Sequence, residues 1–246
     1  MTTNSEIVGE IALVTGGNRG IGLAIVRGLA ARGFTVLLGS RDIQAGRAAV
    51  AALKGDVRPV TLDVTSQADV CALAEEVGRE YGRLDVLVNN AGASTLTFRP
   101  MDHLPVPTEE TVDDIRNVYE VNVFAVVRMM NAFLPLLEKA AAPRVVNVTS
   151  KRGSIGEEGA WAGQPSMVYS SSKTALNALT VHYAREFAGT KLKVNGAAPG
   201  HVATDFNNFR GTRTPDEGAA VAIRLATLPG DGPTGTVYED DVRLAW

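Results

Sequence analysis

The chain has 246 residues, 45% of them hydrophobic and 21% charged, the balance of a folded globular protein rather than a disordered one. A net charge of −3 offers no long-range attraction for nucleic acid or an anionic membrane, so neither is expected as a partner. Cys71 is the only cysteine, which excludes a disulfide within the chain and a cysteine metal cluster and fits a reducing compartment.

The start, Met1 to Gly9, is short and polar, and no stretch reaches the 18 or so unbroken apolar residues of a membrane span. A cytoplasmic protein is expected. His103, His182 and His201 are scattered, none at a metal-ligand spacing from another, so no metal is expected.

Short apolar, β-branched runs then alternate with helical patterns along the chain. The runs are Ile11–Thr15, Thr35–Leu38, Val57–Leu62, Leu84–Val88, Val145–Thr149, Lys193–Ala197 and one near Val237. Between them the spacing predicts helices over Ile21–Arg32, Ala45–Leu53, Gln67–Tyr81, Val112–Glu138, Tyr169–Ala188 and Glu217–Leu228. Alternation of this kind predicts an α/β fold, a doubly wound parallel sheet of about seven strands with helices on both faces. No repeat or linker divides it, so residues 1–246 read as one domain, with long connections over 93–108, 151–168 and 201–215.

One predicted helix is unusual. Val121 to Leu137 is apolar nearly all round, with only Asn122, Arg128 and Asn131 strongly polar. A helix lying on a sheet needs a single apolar stripe, so the second face calls for cover from neighbouring helices or a second subunit, and a homo-oligomer is expected. Pro135 predicts a kink or an early weakening.

The first strand runs directly into Thr15-Gly16-Gly17-Asn18-Arg19-Gly20-Ile21-Gly22 and a helix. Glycines there allow a tight turn and let the backbone approach a pyrophosphate at the helix N-terminus, although a tight turn can also be purely structural. Further on stand Asn89-Asn90-Ala91-Gly92, Asn122, Ser150, Tyr169-Ser170-Ser171-Ser172-Lys173 and Pro199-Gly200. Taken in this order, these segments resemble the TGxxxGxG, NNAG and YxxxK motifs and further positions of the short-chain dehydrogenases/reductases, from about Glu10 to the end of the chain. The resemblance implies a Rossmann-type sheet and a nicotinamide cofactor bound by the glycine loop (Gly16, Asn18, Arg19, Gly20, Ile21, Gly22), by Asp63 and Val64, and by Asn90, Ala91 and Gly92. It further implies contacts from Tyr169, Lys173, Pro199, Gly200, Val202 and Thr204.

The choice between cofactors turns on the second strand's end, Ser40-Arg41-Asp42. An acidic residue at the discriminating position would bind the ribose 2′-hydroxyl and repel a 2′-phosphate. The resemblance aligns that position with Ser40, and Asp42 suits a helix cap. Arg41 and Arg19 then offer two guanidiniums to a 2′-phosphate, which implies NADPH/NADP+.

Tyr169 and Lys173 are four residues apart, hence neighbours on one helix face. Reducing a ketone requires hydride at carbon and a proton at oxygen. A close ammonium and a positive nicotinamide ring would lower a phenol pKa from its usual 10 or so. By the resemblance Tyr169 is the acid/base and Lys173 its tuner, Ser150 orients the carbonyl, and Asn122 holds a relaying water. Ser150 stands 19 residues before Tyr169, about six more than is usual in the family, and Ser154 is the alternative hydroxyl. Trp161, Ser150 and Tyr169 are candidates to touch a small carbonyl substrate. The pattern as a whole resembles the carbonyl-reductase branch, acting on a ketone or aldehyde. An NADP-sensing regulator without turnover and an alcohol dehydrogenase working oxidatively are the competing readings.

Overall fold

Buried β-branched runs become the strands of one sheet: β1 (Ile11–Thr15), β2 (Thr35–Ser40), β3 (Val57–Thr61), β4 (Val86–Asn89), β5 (Arg144–Val148), β6 (Lys193–Ala198), β7 (Val237–Glu239) and β8 (Val242–Arg243). The computed structural model describes residues 9–246, so Met1 to Val8 and the Trp161 side chain lie outside the described residues. Strands β1, β2, β4 and β5 are buried along their whole length. Such strands require cover on both faces, as a parallel sheet between helices provides. The order is β3-β2-β1-β4-β5-β6-β7-β8, parallel except for the antiparallel β7–β8 pair.

Among the described residues eight strands form where about seven were expected. Glu239 pairs with Val242, so only Asp240 and Asp241 turn the hairpin, and Asp240 takes a left-handed φ of 50°. The two exposed residues of β8 are too few to show any alternation in sequence.

The helices are α1 (Gly20–Ala30), α2 (Ile43–Val50), α3 (Gln67–Glu80), α4 (Thr95–Phe98), α5 (Val112–Tyr119), α6 (Ala125–Leu137), α7 (Met167–Glu186) and α8 (Pro215–Ala226). Alternate strand residues feed two cores. On one face Ala12, Val14, Val36 and Val146 meet Ile25 and Leu29 of α1 and Ala222 of α8. On the other, Ile11, Leu13, Leu87 and Val145 meet Leu73 of α3, Phe133 of α6 and Leu176 of α7.

The single helix expected over Val112–Glu138 is in fact two helices joined by a π-helical turn at Glu120–Phe124, where the Ala125 amide bonds to the Glu120 carbonyl. Arg128 spans that turn to Glu120 at 2.6 Å. Pro135 lies inside α6, which runs two residues beyond it. Met129, Met130, Phe133 and Leu137 are buried among residues of the same chain, while Phe124 is exposed and Val121, Val127 and Leu134 are only partly covered. By length and composition the run Val112–Leu137 could cross a membrane, but half of its apolar window is buried here as a core helix. Phe133→Ala should lower the unfolding free energy by about 3–5 kcal/mol in urea titrations. Phe124→Ala, at a position 48% exposed, should change it by under about 0.5–1 kcal/mol.

Candidate active site

The sheet order reverses between β1 and β4, and at such a switch point a doubly wound sheet leaves a crevice at the carboxyl ends of its strands. The glycine loop enters it from β1. Gly16 has φ +62°, a conformation that side chains rarely adopt. A Cβ at Gly22 would overlap the Gly16 carbonyl and the Asn90 amide, so the first turn of α1 packs against the loop only because residue 22 has none. Asn90 holds this crossing together. Its Nδ2 donates to the carbonyls of Thr15 at 2.8 Å and Gly16 at 3.1 Å, while the Thr15 hydroxyl accepts from the Asn90 and Ala91 amides. Arg19, at the N-cap of α1, gives no side-chain cap, and the first turn carries no acidic residue. The helix therefore presents uncapped amides and a positive dipole end to the crevice, a fit for a pyrophosphate.

Around this cradle the expected contacts divide. Asn18 and Ile21 sit partly buried in the loop, and Gly20 (φ +53°) packs against Thr204. Arg41 follows the buried Ser40 and is exposed, with no partner among the described residues. Asp42 caps α2 by accepting from the Gln44 and Ala45 amides. Arg19 is not a free cation but an ion pair with Asp205, tying the loop to the 201–215 segment. Asp63 accepts from the amide and hydroxyl of Thr65, while Ser66, not Asp63, caps α3. Val64 buries its side chain in the core, leaving only its backbone for a ligand. Pro199, Gly200 and Val202 follow β6; Gly200 has φ +77°, and Arg213 donates to the Pro199 carbonyl at 3.0 Å. Thr204 is buried above Gly20.

Four of the expected residues converge beside the cradle. Ser150 follows β5, Tyr169 and Lys173 lie in the first two turns of α7, and Asn122 lies in the π turn. The Lys173 ammonium is buried, donates to the Val148 carbonyl at 2.9 Å and stands 5.7 Å from the centre of the Tyr169 ring. A Cβ on Gly92 would sit 3.7 Å from that ammonium and 3.6 Å from Asn122 Oδ1, so the NNAG loop closes the crevice over both. Ser150 lies close enough to the phenol to favour its ionised form, and its hydroxyl accepts from the Arg152 amide at 3.2 Å. The alternative hydroxyl, Ser154, is fully buried without a partner among the described residues. The Asn122 amide is already committed, with Nδ2 donating to the Ala93 carbonyl and Ser172 Oγ at 2.9 Å each, and Oδ1 accepting from the Ala93 amide at 2.8 Å. It therefore reaches Tyr169 through Ser172, whose hydroxyl donates to the Tyr169 carbonyl at 2.7 Å.

Burial governs the protons. It raises the Tyr169 phenol above its ordinary value, against the opposing pull of the Ser150 hydrogen bond and the Arg152 charge. It also lowers the Lys173 ammonium to about 8. Lys173 is not among the groups that lower the phenol here, its ammonium being turned toward the Val148 carbonyl.

Other residues of the site were not singled out in the sequence. Phe206 places its ring 5.8 Å from that of Tyr169. Arg152 donates to the carbonyls of Gln164 and Ala162 at 2.9 and 3.0 Å, while Gln164 reaches the Leu104 carbonyl, so the 93–108 and 151–168 connections are laced together. Only tertiary structure brings these groups together; the mixed aromatic and polar makeup of the connections was the one signal present.

Residues 10–214 match the family model of the short chain dehydrogenases. The chain belongs to that family, and it is an oxidoreductase of CH–OH and carbonyl groups. It is 34% identical to human carbonyl reductase [NADPH] 1, covering 96% of this chain and 98% of that one. It is 35% identical to a short-chain dehydrogenase/reductase of Stachybotrys chlorohalonatus, covering 97% and 91%. Among solved structures, the Pseudomonas aeruginosa RhlG/NADP active-site complex superposes with a TM-score of 0.79 at 32% identity, covering 98% of both chains. Gly22→Ala should weaken dinucleotide binding by about tenfold or more, read by nucleotide fluorescence titration; unchanged affinity would remove the glycine loop from the site.

Proposed function

We propose that this protein is an NADPH-dependent carbonyl reductase that takes a small ketone or aldehyde and protonates its oxygen from Tyr169. The observation that carries the reading is the convergence of Ser150, Tyr169 and Lys173 beside a glycine cradle made for a dinucleotide. When bound, a reduced nicotinamide supplies the hydride that the carbonyl carbon receives. The protein's own groups do the rest. Ser150 donates a hydrogen bond to the carbonyl oxygen and holds it beside the phenol. Tyr169 gives its proton to that oxygen as negative charge develops there. A phenol raised by burial keeps its proton at neutral pH, which suits the reductive direction. Lys173, charged below about 8, stabilises the phenolate left behind and grips the ribose. Asn122, Ser172 and the Tyr169 carbonyl hold the first turn of α7 in register with the loop after β4.

NADPH is favoured over NADH by Arg41, which follows β2 and has no partner among the described residues, and by the engagement of Asp42 in capping α2. Human carbonyl reductase [NADPH] 1 and the RhlG/NADP complex agree with this preference. Arg19 would add a second guanidinium for the 2′-phosphate only on leaving Asp205, its partner here. The sensor reading loses ground because the full set of reacting groups is present and assembled.

The test is NADPH and NADH oxidation against a panel of ketones, aldehydes and quinones. Tyr169→Phe should lose turnover by about a hundredfold or more while keeping cofactor affinity within about twofold; retained turnover would reject Tyr169 as the acid. Arg41→Ala should weaken NADPH by about tenfold and leave NADH unchanged, and equal losses would reject the NADPH assignment. The lowered Lys173 pKa sets the pH dependence. Its ammonium is lost as pH rises through about 8, so kcat/KM for reduction should bend downward there. A profile flat through that region would contradict a role for the charge.

A further inference from the structure

The catalytic helix α7 starts without a cap of its own. Ser166 holds the N-cap position but makes no side-chain cap hydrogen bond, so the first-turn amides need partners from elsewhere. One partner lies 58 residues upstream: the Val168 amide donates to Glu110 Oε2 at 3.0 Å. The other carboxylate oxygen, Oε1, accepts from the hydroxyl of Thr95 at 2.8 Å. Thr95 and Val168 are both buried, and Val168 immediately precedes Tyr169. A carboxylate is also the group that a helix N-terminus favours, because the first-turn dipoles point their positive ends at it.

A second tie runs to the other side of the same turn. Asn122 grips the amide and carbonyl of Ala93, and through Ser172 it reaches the Tyr169 carbonyl. Both ties start from residues 93–95, directly after Asn90-Ala91-Gly92. The backbone on either side of Tyr169 is thus anchored to the loop that closes the crevice, its amide side by Glu110 and its carbonyl side by Asn122 and Ser172.

We propose that Glu110 is a positioning residue for Tyr169, a two-oxygen bridge from Thr95 to the Val168 amide that sets where the phenol stands relative to the loop after β4. The proposal rests on the reading of Tyr169 as the proton donor. Reach, rather than charge, is what the bridge requires. Glutamine can accept from Val168 with its oxygen and donate to the Thr95 hydroxyl with its nitrogen. Aspartate keeps the charge but is one methylene too short to touch both.

The variants Glu110→Gln, Glu110→Asp and Glu110→Ala separate these properties. Three quantities are measured on each: hydrogen exchange of the α7 amides, kcat on the best carbonyl substrate, and NADPH affinity. In the Asp and Ala variants, exchange at Val168 and the following first-turn amides should quicken by about tenfold or more, with the second half of α7 unchanged. Their kcat should fall by about tenfold, as expected for a misplaced acid, with NADPH affinity within about twofold. Glu110→Gln should stay close to wild type in all three. Unchanged exchange at Val168 in Glu110→Ala would overturn the proposal. So would a Gln variant as impaired as Asp, or parallel losses of NADPH affinity and kcat that track a fall in Tm. Hydrogen exchange needs no turnover, so a wild type that reduces nothing would count against the reductase reading while still testing the bridge.

Discussion

The side-chain amide of Asn90, held between the carbonyls of Thr15 and Gly16, is the contact on which the site depends. It joins the ends of two adjacent parallel strands whose chains leave in different directions, at the point where the strand order reverses. Together with the Thr15 hydroxyl, which accepts from the Asn90 and Ala91 amides, it ties the turn after β1 to the loop after β4. With it they form one floor, and Gly22 brings the uncapped end of α1 down onto that floor because it lacks a Cβ. The anion-binding amides and the cover over Lys173 are thereby placed within one crevice. Buried backbone polar groups must find partners, and here meeting that requirement also builds the cradle.

The electrostatics of the site follow from burial more than from charge pairing. Moving a phenol and an ammonium out of water disfavours the ionised form of each, so the phenol rises and the ammonium falls toward neutral pH. A proton donor that keeps its proton and a lysine that still carries charge below about 8 are together suited to giving a proton to a carbonyl oxygen. Lys173 directs its hydrogen bond to Val148 and faces the phenol only at a distance. Its charge is therefore available to a phenolate formed during reaction without stabilising one beforehand.

Much of this architecture was legible in the amino-acid sequence because it is local. Fully buried strands such as Ile11–Thr15 and Val145–Val148 read as apolar runs, and the glycine loop and the Tyr169–Lys173 spacing read as motifs. What could not be read depends on partners distant in the chain or on hydrogen-bond register. The π turn at Glu120–Phe124 keeps its apolar residues in nearly the same pattern as an α-helix, so periodicity does not reveal it. The pairing of Arg19 with Asp205, the hold of Asn122 on Ala93 and Ser172, and the packing of Phe206 on Tyr169 join segments tens of residues apart. The expected homo-oligomer rests on counting apolar faces along one helix, and a single chain does not decide it. Residues of the sheet, α3 and α7 cover one side of that helix, while Phe124 at its start remains exposed.

In the proposed reaction a carbonyl carbon receives hydride in this crevice while Tyr169 protonates the oxygen. Its most direct test is to supply NADPH deuterated at the transferring C4 position with a ketone panel and locate the label in the product by mass spectrometry and NMR. The product should be an alcohol carrying one deuterium on its carbinol carbon, formed by the wild type and not by an enzyme lacking the Tyr169 hydroxyl. Tight cofactor binding with no label transferred to any carbonyl compound would contradict it.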